Sequence, residues 1–488
     1  MEKSPSYYEV LGVSQDATAE EIRAAARALS QKFPEEAQDP ERNVAYRQLV
    51  RAYAVLGDAD RRAAYDAKLA ESGSDLLQID LHPSRRTLEH LETVQLLYLL
   101  VDIFAPAEEY RQRLPINLSL VFDRSTSMQG ARLQRVRAAA HKVIESLSSE
   151  DLVSIVVFSD RAEVIVPAGH VKNKRALIRR INQIAASGGT EIYQGLRAGM
   201  QEIGKAPLSR FINHVVLMTD GQTYGDETEC LKLAEASAGR GVTMSAFGIG
   251  TDWNDSFLDQ LVSPGGGHSA YIEHADQIVS HLQAQIEGLG TIYAQDVTLS
   301  VDLPEGVRCK DVFKVSPFAQ PLGCPKKQLN LGAVEGGLPL SILLELEMRT
   351  QRTGSQIPMS LEFQVTVPSR QIAKRHLKHS LTLNVVPGTP EFSPPGKVLQ
   401  AVQMLNLYRM NEKAWQELQE GKTEKATRRM ERLTSRLIEA GQTELAQQAL
   451  RETQRLAHMG TLSLEGRKKL KYGTRSLIAQ TMQLKEND

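Results

Sequence analysis

Between Ile116 and Gly290 short apolar runs alternate with amphipathic stretches, and few architectures accept that order. INLSLVFD, DLVSIVVFS, AEVIVPA, FINHVVLMTD, VTMSAFGIG and HSAYIEH read as strands. The stretches between them, such as RLQRVRAAAHKVIESL, EIYQGLRAGMQEI and ADQIVSHLQAQI, carry helical periodicity. Successive parallel strands need crossovers that pack back onto the sheet, so the alternation predicts a mainly parallel sheet with helices on both faces. This places a doubly wound α/β domain over residues 114–290.

The chain has 488 residues, too many for one hydrophobic core, and the flanks change character. Residues 1–72 read as a helical module. EEIRAAARALSQKF aligns Ile22, Ala25, Ala26 and Leu29, NVAYRQLVRAYAVL aligns Val44, Leu49, Ala52, Tyr53 and Leu56, and Pro34 and Pro40 break the chain between them. Residues 73–113 hold a linker and the strand-like LETVQLLYLLVDI. Residues 291–386 lose the helices and keep strands such as LPLSILLELEM and MSLEFQVTV, so a β-sandwich of about seven strands is expected, with the α/β domain inserted into it. A proline-rich linker covers residues 387–396, and residues 397–488 read as amphipathic helices, with Ala426, Met430, Leu433 and Leu437 on one buried stripe and Leu445, Ala449, Thr453 and Leu456 on the next.

In an open parallel sheet, ligands bind at the carboxyl ends of the strands, where the strand order reverses. INLSLVFD ends at Asp123, so Asp123, Ser125 and Ser127 fall at that rim; SGGTEIYQG brings Thr190 there and VVLMTDGQT brings Asp220. Hydroxyls with a few carboxylates suit a small hard cation such as Mg2+. Each piece alone also fits a plainer role: Ser125, Thr126 or Ser127 as a cap for the next helix, Thr190 as the cap of EIYQGL, and Asp220-Gly221 as a turn.

VFDRSTSM, SGGTEIYQGL and LMTDGQT resemble, in order and spacing, the three motifs of the von Willebrand factor type A (VWA) domain, whose metal-ion-dependent adhesion site has the form DxSxS…T…D. The resemblance implies direct ligation by Ser125, Ser127 and Thr190, with Asp123 and Asp220 holding the ion through water. It implies Mg2+, with Mn2+ or Ca2+ as alternatives, and an open coordination position that takes an Asp or Glu of a partner protein. Arg124, Gln129, Tyr193, Gln222, Tyr224 and Trp253 follow or flank strand ends and are the candidate partner contacts, Arg124 favouring an acidic group; a solvated Arg124 and a Trp253 packed over the sheet edge are the competing readings. The sandwich and the C-terminal helices, ending in the YGTR-like stretch Lys471-Tyr472-Gly473-Thr474-Arg475, are similar to those of bacterial VWA proteins. Such proteins often work beside MoxR-type AAA+ ATPases.

YYEVLGV, the helix after it and AYRQLVRAYAVLGDADRRAAYD resemble the J-domain of DnaJ-type co-chaperones. The family's His-Pro-Asp, needed to stimulate a DnaK-type ATPase, is replaced here by Pro34-Glu35-Glu36, and the basic face keeps only Arg23, Arg27 and Lys32. The resemblance therefore implies a docking module that does not activate a DnaK-type chaperone; a divergent co-chaperone is the alternative.

The net charge of -1 excludes an overall basic field for nucleic acid. No Cys/His nucleophile pair, GxSxG, Walker A loop or HExxH is present, so a non-enzymatic interaction scaffold is expected. A VWA domain with an empty or permanently closed site is a third reading. No apolar run reaches the ~18 residues that cross a bilayer, and Cys230, Cys309 and Cys324 lack paired spacing, so a cytoplasmic protein with reduced thiols is expected, a Cys309–Cys324 clip being the alternative.

Overall fold

The structure, a computed structural model, describes residues 7–14, 17–31, 44–59, 61–62, 65–66, 76–91, 93–106, 113–223, 225–324, 328–349, 353–388 and 393–483. Pro34, Glu35, Glu36 and Tyr224 lie outside the described residues.

The N-terminal helices are α1 (Tyr7–Leu11), α2 (Ala19–Ser30) and α3 (Val44–Leu56). Thr18 and Glu21 form a reciprocal capping box that starts α2. Ile22 and Ala26 of α2 and Leu49, Ala52 and Leu56 of α3 meet Tyr8 and Leu11 in one small core, as their helical spacing predicts. Tyr53, expected on the buried face of α3, is instead 39% exposed.

Strands β1 (Gln78–Pro83), β2 (Thr87–Glu89) and β3 (Gln95–Phe104) precede the α/β unit. That unit runs β4 (Ile116–Asp123), α4 (Ala131–Ser146), β5 (Leu152–Phe158), β6 (Ala162–His170), α5 (Lys174–Asn182), α6 (Ile192–Ile203), β7 (Ile212–Thr219), α7 (Glu227–Ala238), β8 (Val242–Ile249), α8 (Asp255–Val262), β9 (Ser269–Ile272) and α9 (Ile278–Gly290). After it come β10 (Ile292–Asp302), β11 (Val307–Ser316), β12 (Gln320–Pro321), β13 (Leu329–Glu335), β14 (Leu340–Met348), β15 (Gln356–Val367) and β16 (Ile372–Val386). Helices α10 (Gly396–Gln419), α11 (Thr423–Glu439), α12 (Thr443–Met459) and α13 (Leu464–Gln483) end the described chain.

The six-stranded sheet has the order β6-β5-β4-β7-β8-β9, parallel except where β6 runs against β5. The chain moves outward from β4 to β6, then returns to the other side of β4 with β7. The order therefore reverses between β4 and β7, which opens the crevice beside the ends of those two strands. Both strands are buried along their whole length, which is why they read as unbroken apolar runs rather than alternations. Helix α6 lies close on the sheet through Gly195 and Gly199, where a Cβ would come within 2.5 Å of Phe158 and 2.6 Å of Val121.

The α/β unit is inserted in a β-sandwich. Its sheets have the orders β1-β3-β14-β11-β12 and β13-β10-β15-β16-β2, so β3, which precedes the insertion, pairs along nine residues from Gln95↔Met348 to Ile103↔Leu340 with β14, which follows it. Two five-stranded sheets exceed the expected seven or so strands. The short or interrupted β1, β2, β11, β12 and β13 lack a clean period of two, and β11 and β13 carry register shifts. Leu99, Val101, Ile342, Leu344, Leu361, Phe363 and Leu383 belong to the core between the sheets. Cys309 and Cys324 are free thiols with their sulfurs 3.4 Å apart.

At the seam between the α/β unit and the sandwich, Lys314 Nζ donates to Gly266 O and Leu331 O, and His268 stacks on Phe318 at 3.6 Å. His214 lies behind, with Nδ1 2.6 Å from Thr243 Oγ1 and Nε2 3.1 Å from Ser245 Oγ, and its own burial brings its pKa down to about 3. Burial, then the charge of Lys314 and the neighbouring His214 and His281, holds His268 well below the usual range, and burial lowers His281. A histidine whose folded pKa is depressed leaves stability intact above the unfolded value of about 6.5 and removes it as pH falls below that value. Between pH 7 and pH 5 the chain is expected to lose up to about 1.4 kcal/mol per pH unit for each such histidine. Denaturant midpoints that coincide at the two pH values contradict this.

The predicted stripes of the C-terminal helices are buried: Ala426, Met430, Leu433 and Leu437 on α11, and Ala449, Thr453 and Leu456 on α12, with Leu445 partly buried. Helix α10 lays Val398, Ala401, Leu405 and Tyr408 against Leu100, Phe313, Val315 and Leu343 of the sandwich. Among the described residues no helix is long and apolar enough to cross a membrane.

Candidate metal centre

β4 delivers Asp123 to the crevice with no exposed surface. Its Oδ1 accepts from the amide of Ser125 at 2.7 Å and its Oδ2 from Thr219 Oγ1 at 2.7 Å. The following loop is stitched to its neighbours by backbone bonds. Arg124 N donates to Phe158 O, Thr126 N to Gly188 O, and Ser187 N to Arg124 O. Asp160 Oδ1 accepts from Gly189 N at 2.9 Å and so holds the glycine pair before Thr190.

These ties bring four of the five predicted oxygen donors onto a continuous path. Asp123 fixes Ser125 through its amide, Ser125 Oγ is 3.0 Å from Ser127 Oγ, and Ser127 Oγ donates to Asp220 Oδ1 at 2.7 Å. Thr190, the fifth, is buried against Gly221, where a Cβ would come 3.3 Å from Thr190 Oγ1. The capping roles are not taken: Gly130 stands at the N-cap of α4 and Glu191 at that of α6, and Ser125 caps its short 3-10 turn without a side-chain bond.

The donor set fits a small hard cation. All five groups offer oxygen, and the Ser125–Ser127 spacing of 3.0 Å equals the edge of an octahedron with bonds of about 2.1 Å. Burial, opposed by the bonds from Ser125 and Thr219, raises the Asp123 carboxyl to about 6, and the nearby Asp220 adds to the rise. Among the described residues no three His, Cys, Asp or Glu side chains gather as metal ligands elsewhere.

The candidate partner contacts divide. Gln129 and Gln222 are exposed at the rim, and Tyr193 is half-buried against the core under α6. Arg124 pairs with Glu163 of β6 at 3.2 Å rather than standing free in solvent. Trp253 is a correction. It is only 2% exposed, its Nε1 donates to Gly250 O at 2.7 Å, and Lys468 of α13 sits 3.9 Å over its ring, so it does not face a partner. The apolar ring is more stable between the sheet edge and a helix than in water, and a rim position in sequence did not reveal that the C-terminal helix arrives there.

Several residues at the site escaped the sequence reading. Thr219 had a usable signal, standing directly before Asp220. Thr223 and Asp226 accept from the amides of Ile192 and Tyr193 and so cap α6. Arg132, one turn beyond the loop, pairs with Asp220 and donates to Ser127 O at 3.3 Å, and no local motif announces it.

A family model for the von Willebrand factor type A domain matches residues 117–285. Residues 117–285 form a VWA domain. The DnaJ domain model matches residues 6–66, and the model described as Sll0103-like, C-terminal alpha-helical domain, matches residues 396–480. Protein sll0103 of Synechocystis is 31% identical over 241 residues, covering 49% of this chain and 56% of that protein. YfbK of Escherichia coli is 23% identical over 269 residues, covering 52% of this chain and 45% of that protein. The chain thus spans about half the length of the curated relatives it matches. The solved von Willebrand factor type A structure from Catenulispora acidiphila shares the fold at 15% identity, with a TM-score of 0.65, covering 82% of this chain and 96% of that one. VWA domains serve protein interaction or adhesion and commonly carry a divalent-metal site.

Proposed function

We propose that this VWA protein is a non-enzymatic interaction scaffold whose rim holds a divalent cation, Mg2+ in first place, between Asp123, Ser125, Ser127, Thr190 and Asp220. The observation that carries this reading is the all-oxygen donor set with its two serine hydroxyls 3.0 Å apart on a buried carboxylate base. When bound, the ion supplies a Lewis-acidic position that takes one carboxylate oxygen of a partner.

The chain's own residues do the rest. Asp123 orients Ser125 and, through Thr219, the end of β7. Gly188 and Asp160 lock the loop that presents Thr190. Gln129, Gln222 and the half-buried Tyr193 shape the surface a partner meets. The partner is a protein with an exposed Asp or Glu, and a MoxR-type AAA+ ATPase in the cytoplasm is the class named first. The J-like helices offer a second docking face that does not stimulate a DnaK-type ATPase.

Calorimetric titration of MgCl2 into the full chain, followed by a short peptide bearing a single glutamate, tests the reading. One ion per chain and peptide binding that vanishes in EDTA are expected. Peptide binding that persists in EDTA, or no uptake of Mg2+ or Mn2+, overturns it.

A further inference from the structure

Arg132 lies in the first turn of α4, where the partial positive charge of the helix N-terminus disfavours a cation, and the helix has no acidic residue there to offset it. Its guanidinium instead reaches Asp220. Nη1 pairs with Asp220 Oδ2 and also donates to Ser127 O at 3.3 Å. The other side packs on Gly250, where a Cβ would come 3.0 Å from Nη2. The Asp220 side chain is fully buried while that of Arg132 is 35% exposed, so the carboxylate is fixed and the cation has a path to solvent.

Asp220 therefore has two claimants. The divalent ion of the proposed site and the Arg132 guanidinium address the same carboxylate, and two cations sharing one buried carboxylate repel each other strongly at low local dielectric. We propose that Arg132 is a built-in counter-cation that exchanges with the divalent ion at Asp220: it neutralises the carboxylate in the metal-free chain and must leave when the ion enters. This rests on the metal-site reading above. Its consequence is a site that stays folded without metal and binds it more weakly than the donor set alone would allow.

The loop against which Arg132 rests is also gripped from the far end of the chain. Lys468 Nζ donates to Thr251 O at 2.7 Å and Trp253 O at 2.6 Å, just beyond Gly250. The wall on that side is thus held in place, which leaves the solvent side as the way out for the guanidinium.

The test is calorimetric titration of MgCl2 and MnCl2 into the wild-type chain, Arg132→Gln and Arg135→Gln. Arg135, one turn further along α4, is a nearby cation paired with Asp276 rather than Asp220. Arg132→Gln is expected to tighten both ions by about tenfold or more, and Arg135→Gln to change them by less than about twofold. In EDTA, Arg132→Gln is expected to melt below the wild type and to gain more from added Mg2+. Unchanged or weaker affinity in a folded Arg132→Gln overturns the exchange, as does an equal gain from Arg135→Gln, which would mean diffuse repulsion. Uptake of ions by neither wild type nor Arg132→Gln sinks the metal-site reading itself. A wild-type structure with Mn2+ bound decides without substitution, because a guanidinium still paired with Asp220 beside the ion refutes the exchange.

Discussion

Asp259→Ala is expected to cost about 3–5 kcal/mol and to release α13 from the α/β domain. Asp255 and Asp259, one turn apart on α8, face Arg467, Lys471 and Arg475 of α13. Arg467 forks onto Asp255 at 3.0 and 3.1 Å, Lys471 pairs with Asp255 and reaches Asp259 at 2.9 Å, and Arg475 forks onto Asp259 at 2.9 and 2.6 Å. Burial alone would raise the Asp259 carboxyl, but Arg475 and Lys471 outweigh it and hold Asp259 well below the usual carboxylate range. Removing that carboxylate leaves Arg475 buried without its anion, while Lys471 keeps Asp255. Tyr472 does not rescue Arg475, since its hydroxyl already meets Ser269 Oγ at 3.0 Å. Hydrogen exchange over residues 464–483 and denaturant unfolding measure the effect. Unchanged protection together with a loss below about 1 kcal/mol would show that the pairs repay only their own desolvation.

Asp123→Ala is expected to weaken divalent-ion binding by about 10- to 100-fold while the domain stays folded. The fold should survive because burial already disfavours this carboxylate, whose pKa stands near 6, and because the strand beneath it is held by the apolar core. What disappears is the anchor for the Ser125 amide and for Thr219, along with half of the carboxylate charge of the donor set. The wild type should gain about 2.7 kcal/mol of stability at a Mg2+ concentration one hundred times its dissociation constant, and the variant clearly less. A variant that keeps the Mg2+-dependent rise in melting temperature would place the ion elsewhere.

The legible parts of this protein are those written in local periodicity. β4 and β7 announce themselves as apolar runs ending in Asp123 and just before Asp220, and a parallel sheet brings such ends to one rim whatever lies beyond. The buried stripe Ala426, Met430, Leu433 and Leu437 is equally plain, because one helix face must leave water. β11 and β13 were obscure because their bulges break the period of two. Trp253 was misplaced because a strand-end position does not say what covers it.

The sequence by itself determined the inserted α/β unit, the sandwich around it, the helical flanks and the donors at the crevice, since each follows from spacing within a few turns or strands. Tertiary structure alone decided the fate of the charges. Asp255 and Asp259, like Lys471 and Arg475, sit four residues apart on exposed-looking helix faces, and in isolation each face reads as solvated. They are separated by some 216 positions in the chain, and only docking removes their water. The same holds for Arg132, an ordinary surface arginine in sequence, which becomes a counter-ion because folding delivers Asp220 to it from 88 residues away.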